Sequence, residues 1–300
     1  MRNVRLGRRS LLSLMGVTAV GATAAACGRS NPGVATAEAP LRRPMPRTPA
    51  ATGPVLRVDT ERSYYRDGDV QLMFAFPNGL EATENLPIVL YLHGRDGMSP
   101  TPIPYETLSK LETEYAGGAI PPFGLLAVDG GFNSYWNDGS ANGDLLSMLL
   151  EEVPAWLRSR HLGDRDGLPF AVAGISTGGF GALNYAAERT QVGLPVEAAA
   201  LLAPALPVTW ELMNEKGVFA TEQEWHEHDP LRHTDRLGDV PLGIWVGDVD
   251  VYREGAEQLA AEHPNTPVMS VLPGGHDGSV FDAVGSEMLR FLATGVSAEG

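Results

Sequence analysis

Cysteine is almost absent from this chain: among 300 residues there is one, Cys27. A single thiol excludes an intramolecular disulfide, so the fold must be held by its core. Basic residues are scarce too. Against 37 Asp and Glu stand 22 Lys and Arg, a formal charge of −15, and beyond the N-terminus the only basic stretch lies around residues 42–47. Such a surface repels phosphate backbones and argues against a nucleic-acid partner. Long hydrophobic runs are also missing. The apolar segment 11–26 is short and diluted by Gly, Ser, Thr and Ala, which is too little for a membrane-spanning helix. There is no internal repeat and no histidine spacing that suits a metal. The nearest candidate, Trp225-His226-Glu227-His228-Asp229, sets its histidines two apart. That spacing converges only on a strand, whereas the segment reads as loop, so no metal site is expected.

What is present begins with an address. Arg8-Arg9 precede Ser10-Leu11-Leu12 and an apolar stretch ending in Ala24-Ala25-Ala26. A charged start, an apolar middle and a small-residue end predict a secretory signal over residues 1–27, and the paired arginines predict the twin-arginine route. Small residues directly before Cys27 resemble the bacterial lipoprotein processing site, although Ala24 stands where a large aliphatic residue is usual. The expectation is an extracytoplasmic protein, either anchored to the membrane through lipidated Cys27 or secreted. Cleavage would remove four arginines and take the charge from −15 to −19. Residues 28–54 are rich in Pro, Ala, Thr and Arg without hydrophobic period and predict a disordered tether, leaving residues 55–300 as one folded domain.

Within that domain strands and helices alternate. Strands are expected at 55–59, 70–76, 87–92, 123–128, 170–174, 196–203, 242–246 and 267–272, with a turn at 64–68. Helices are expected at 107–115, 144–161 with a kink at Pro154, 178–189, 255–262 and 281–294. Segment 210–235 is polar and aromatic without strand pattern and reads as a short cap insertion. This order predicts an α/β domain with a mostly parallel sheet covered by helices on both faces.

Gly174-Ile175-Ser176-Thr177-Gly178 follows a buried strand and opens a helix of small residues. That is the context in which Gly-x-Ser-x-Gly forms a nucleophile elbow, a turn tight enough to exclude larger neighbours. A serine hydroxyl needs a base, and the base needs an orienting acid. In the α/β-hydrolase fold they follow in the order serine, acid, histidine. His276, in Pro273-Gly274-Gly275-His276-Asp277-Gly278 after the last strand, is the expected base; His263 beside Pro264 reads as a surface residue. Asp250 is the preferred acid and Asp248 the alternative, with a turn or capping role as its competing reading. An oxyanion hole is expected from the backbone N–H of Thr177 and of Arg95, with Asp96 next in line after Arg95. His93 precedes the serine and is read as structural.

Tyr91-Leu92-His93-Gly94, Asp129-Gly130-Gly131 through Ser134-Tyr135-Trp136, and Gly174 through Leu183 together resemble the putative-esterase family. That family includes esterase D (S-formylglutathione hydrolase), feruloyl esterase domains and the antigen 85 mycolyltransferases. The likeness spans roughly residues 86–292. It implies an α/β-hydrolase fold and a Ser-Asp-His acyl-enzyme mechanism that needs no cofactor. By the same analogy Tyr135 and Trp136 edge the substrate cleft, the alternative for Trp136 being that it packs the loop. Thr177 replaces the methionine common after the serine, and residues 247–252 lack the Asp-Pro-Phe of many members. Three readings follow. One is a hydrolase acting on a small-molecule or cell-envelope ester; another is a transferase passing the acyl group to a sugar hydroxyl. The last is a hydrolase fold without activity that serves as a binding protein.

Overall fold

The structure is a computed structural model that describes residues 53–80 and 83–296. The signal segment, Cys27 and the tether up to residue 52 lie outside the described residues. Eight strands form one sheet: β1 Val55–Ser63, β2 Gly68–Phe76, β3 Ile88–Leu92, β4 Gly124–Val128, β5 Ala171–Ile175, β6 Ala198–Leu202, β7 Leu242–Gly247 and β8 Val268–Leu272. Their spatial order is β1-β2-β4-β3-β5-β6-β7-β8. β2 runs antiparallel to β1 and β4, and the strands from β4 onward across the sheet are parallel. Every residue of β3 to β7 is buried, which is why these stretches carry no polar alternation.

The helices divide between the two faces. They are α1 Tyr105–Ala116, α2 Leu145–Ser147, α3 Val153–Arg158, α4 Thr177–Gln191, α5 Trp210–Asn214, α6 Glu222–His228, α7 Arg253–Glu262, α8 Gly278–Phe281 and α9 Gly285–Ala293. One core joins Leu90, Leu92 and Val172 of the sheet to Met148, Val153, Phe180 and Leu183 of the covering helices. The other joins Val89, Tyr91 and Ala173 to Leu108 and Leu111 of α1 and Met288 and Leu289 of α9. The alternation of Val89, Leu90, Tyr91 and Leu92 between the two cores is the period-two geometry of a strand. An ion pair from Arg290 to Glu114, at 2.8 Å, ties α9 to α1.

Several elements differ from expectation for local reasons. β1 runs past the expected end at 59 to Ser63, through charged Glu61 and Arg62; it is an edge strand, where charge is tolerated, and Arg160 bridges its Asp59 and Glu61 at 2.9 and 2.5 Å. The helix expected at 144–161 holds a π turn at Met148–Glu152, one turn before Pro154, with the Val153 N–H reaching back to Met148 O. Proline offers no N–H and crowds the preceding turn, so the distortion falls upstream of it. The cap is more helical than a loop: Thr209 and Thr221 cap α5 and α6 by accepting from Leu212 and Glu224 N–H. The histidines at 226 and 228 therefore sit on a helix. The final helix is broken in two, and α8 starts earlier because Asp277 accepts from Ser279 N–H at 2.8 Å. Among the described residues no helix is long and apolar enough to cross a membrane.

Candidate active site

Ser176 sits between β5 and α4 at φ 55 and ψ −118, a strained backbone for a residue with a side chain. The surrounding glycines make the turn possible. A Cβ on Gly174 would fall 2.0 Å from Gly178 O, and one on Gly178 would fall 2.0 Å from Leu92 O. The turn is pinned on both sides: Ser176 N–H donates to Leu202 O, and Ser176 O accepts from Gly179 and Ala205 N–H, each at 2.9 Å.

The structure brings Ser176, His276 and Asp250 into one chain of hydrogen bonds. Ser176 Oγ lies 2.7 Å from His276 Nε2, and His276 Nδ1 lies 2.8 Å from Asp250 Oδ2. The Asp250 side chain is wholly buried, and its Oδ1 accepts from Tyr252 N–H at 2.8 Å. An ionised carboxylate can only accept, so Nδ1 carries the ring proton and Nε2 is left to accept from the serine hydroxyl. Asp248 is elsewhere: it is exposed, and its Oδ1 accepts from Gly274 N–H at 2.9 Å, fastening the histidine loop to the acid loop. Gly247 makes the same contact possible, since a Cβ there would fall 2.3 Å from Gly274 O. The His276 ring is held edge-on between Tyr252 and Phe281, at centroid distances of 4.9 and 5.6 Å.

Thr177 is the first residue of α4, where a backbone N–H has no partner within the helix. The loop carrying Arg95 and Asp96 passes directly over the elbow: a Cβ on Gly94 would sit 3.3 Å from Ser176 Cβ. Buried His93 braces this loop. Its Nε2 accepts from Gly130 N–H at 2.8 Å, so Nδ1 donates to Gly94 O at 2.7 Å. Burial holds its pKa below the ordinary histidine value and keeps it neutral.

Trp136 is placed differently from the expectation that it edges the cleft. It is fully buried and lies outside the cavity wall, with Nε1 donating to His93 O at 3.1 Å. Gly130 and Gly181 make room for it, since a Cβ on either would come within 2.6 Å of the indole side chain. Tyr135 does line the cavity, and burial raises its pKa. The cavity has a volume of about 610 Å³ and takes in Ser176, His276, Tyr135, Tyr252, Tyr105 and Lys216 among its walls. Sequence reasoning missed Tyr105, Tyr252, Lys216 and Asn133. Tyr105 and Lys216 belong to a helix start and to the cap, which carry no recognisable motif; Asn133 and Tyr252 lie inside the 129–136 motif and the 247–252 loop, where residue type alone does not mark a cavity wall.

The strand order and a serine raised on a strained turn between strand and helix define an α/β-hydrolase. The chain belongs to the putative-esterase family, which matches residues 63–255, a span that includes Ser176 and Asp250 and ends before His276. No curated protein matches the sequence. Among solved structures it is similar to a ferulic acid esterase, at 18% identity and a TM-score of 0.64, over 81% of this chain and 98% of that one. It is also similar to an S-formylglutathione hydrolase from Agrobacterium tumefaciens, at 17% and 0.63, over 83% and 98%. A fluorophosphonate-binding serine hydrolase of Staphylococcus aureus, FphF, is similar at 16% and 0.57, over 81% and 99%. The enzyme class is that of the carboxylic-ester hydrolases.

Proposed function

We propose that this protein cleaves a carboxylic ester outside the cytoplasmic membrane through an acyl-enzyme on Ser176. The observation that carries the reading is the hydrogen-bonded line from Ser176 Oγ through His276 to Asp250, at 2.7 and 2.8 Å. As Oγ bonds to the ester carbonyl carbon, His276 Nε2 takes the hydroxyl proton and then delivers it to the departing alkoxide. A water molecule repeats the attack with His276 as base, releasing the acid and restoring the serine. Asp250 keeps the imidazole in the required tautomer and balances its transient charge. The N–H groups of Thr177 and Arg95 receive the oxyanion of each tetrahedral intermediate. These steps need no metal or cofactor.

Location is read from the paired arginines and from Cys27: export by the twin-arginine route, followed by attachment through an acylated thiol. Hydrolysis of a panel of esters by the purified domain tests the chemistry. Wild type should release acid from at least one ester, and Ser176→Ala should release none. Adding trehalose distinguishes release to water from transfer to a sugar hydroxyl.

A further inference from the structure

Two cations stand at the cleft outside any ion pair. Arg95 and Lys216 both line the cavity. Among the described residues neither makes an ion pair. Each rests on an aromatic face instead. The Arg95 guanidinium lies 5.1 Å from the centre of the Phe132 ring, and the Lys216 ammonium lies 5.7 Å from that of Tyr252. In a chain of formal charge −15, carboxylates were available to pair with them.

A single residue fixes both cation-bearing segments. Asn133, held at φ 52, donates its backbone N–H to Arg95 O at 2.8 Å and its side-chain amide to Lys216 O at 2.8 Å. The cap and the loop over the nucleophile are thus joined where the charges stand. Tyr252, under the ammonium, packs edge-on against the His276 ring at a centroid distance of 4.9 Å. The Lys216 ammonium therefore stands one ring away from His276. The exposed carboxylates Asp96, Glu215 and Asp282 line the same cavity and stay out of ion-pair range of either cation.

We propose that the substrate is an ester that also carries a carboxylate, which Arg95 and Lys216 hold while the ester carbonyl lies at Ser176. This rests on the esterase reading above and adds the substrate class to it. A cation on an aromatic face keeps much of its charge available, and an incoming carboxylate gains charge-assisted hydrogen bonds from a fork and an ammonium.

Two matched pairs of esters test it. On the acyl side, 4-nitrophenyl hydrogen glutarate is set against 4-nitrophenyl pentanoate; on the alcohol side, 4-acetoxybenzoate against 4-acetoxybenzamide. Wild type should favour the anionic member of at least one pair by about tenfold in kcat/KM, a ratio that shrinks as salt is raised. Lys216→Ala should abolish most of that ratio and Lys216→Arg should restore it. Neutral esters cleaved as well as anionic ones, or a preference that survives Lys216→Ala, would overturn the inference and leave the esterase reading intact. Failure to cleave any of the four, with Ser176 inert to a fluorophosphonate, would overturn both.

Discussion

Asp248 and Asp250 stand two residues apart on one loop and meet different partners. Asp250 is buried against His276 and Tyr252 N–H, whereas Asp248 faces solvent and holds Gly274 N–H. Asp250→Asn should therefore lower kcat/KM by about 10⁴-fold, because an amide can favour the wrong imidazole tautomer. Asp248→Asn keeps a carbonyl acceptor for Gly274 and should cost less than about tenfold. Steady-state kinetics of the two purified variants, with far-UV circular dichroism to confirm folding, checks both; equal losses would mean the acid is misassigned. From sequence alone these aspartates were separable only by a preference for the later one. What distinguishes them is burial, which depends on where the loop meets β8. Trp136 was harder to read. It lies in a motif whose neighbour Tyr135 does line the cleft, and only the space left by Gly130 and Gly181 shows that the indole turns inward.

Among the elements, the cap carries the least legible structure and the clearest pH signature. Its helices α5 and α6 are short, and their hydrophobic pattern spans too few turns to register as periodic. The start of α6 does carry a signal, Thr221 three residues before Glu224, which the reading of 210–235 as a loop passed over. At the end of α6, Asp229 is buried and its pKa is pushed up to about 6, chiefly by desolvation, with Leu231 N–H and Arg232 partly opposing the shift. An acid whose folded pKa exceeds its unfolded value holds its proton better when folded. The contribution of Asp229 to stability is therefore greatest below the unfolded value of 3.8, falls as pH rises to about 6, and stays lowered above that. Asp229→Asn keeps an acceptor for Leu231 and removes the buried charge. It should stabilise the protein at pH 7.5 by on the order of 2 kcal/mol, with little difference near pH 4. Urea unfolding at the two pH values checks this, and an Asn variant less stable at pH 7.5 than wild type would contradict it. By contrast, β3 to β7 were legible to within two residues, because a strand buried on both faces leaves an unbroken apolar run between turn residues.

At the scale of the whole molecule, alternation of strand and helix sufficed for the fold class, because a parallel sheet covered on both faces has few other solutions. The site follows from that architecture: β5, β7 and β8 are parallel and all end at the carboxyl end of the sheet, so Ser176, Asp250 and His276 leave the core together from distant parts of the chain. What the alternation could not supply is the content of the cleft, which is set by the cap and by side chains that meet only in three dimensions. The N-terminal reading adds a whole-chain prediction: Cys27→Ser should move the protein from the membrane to the soluble extracytoplasmic fraction. Cell fractionation with intact-mass analysis reads this directly, and an unchanged distribution would refute anchoring through the thiol. The central claim is an activated serine at position 176. Its most direct test is fluorophosphonate labelling of the purified domain, with the adduct mapped by peptide mass spectrometry. The account predicts one adduct, on Ser176, lost in both Ser176→Ala and His276→Ala. A folded wild type that remains unlabelled, or an adduct on any other residue, would contradict it.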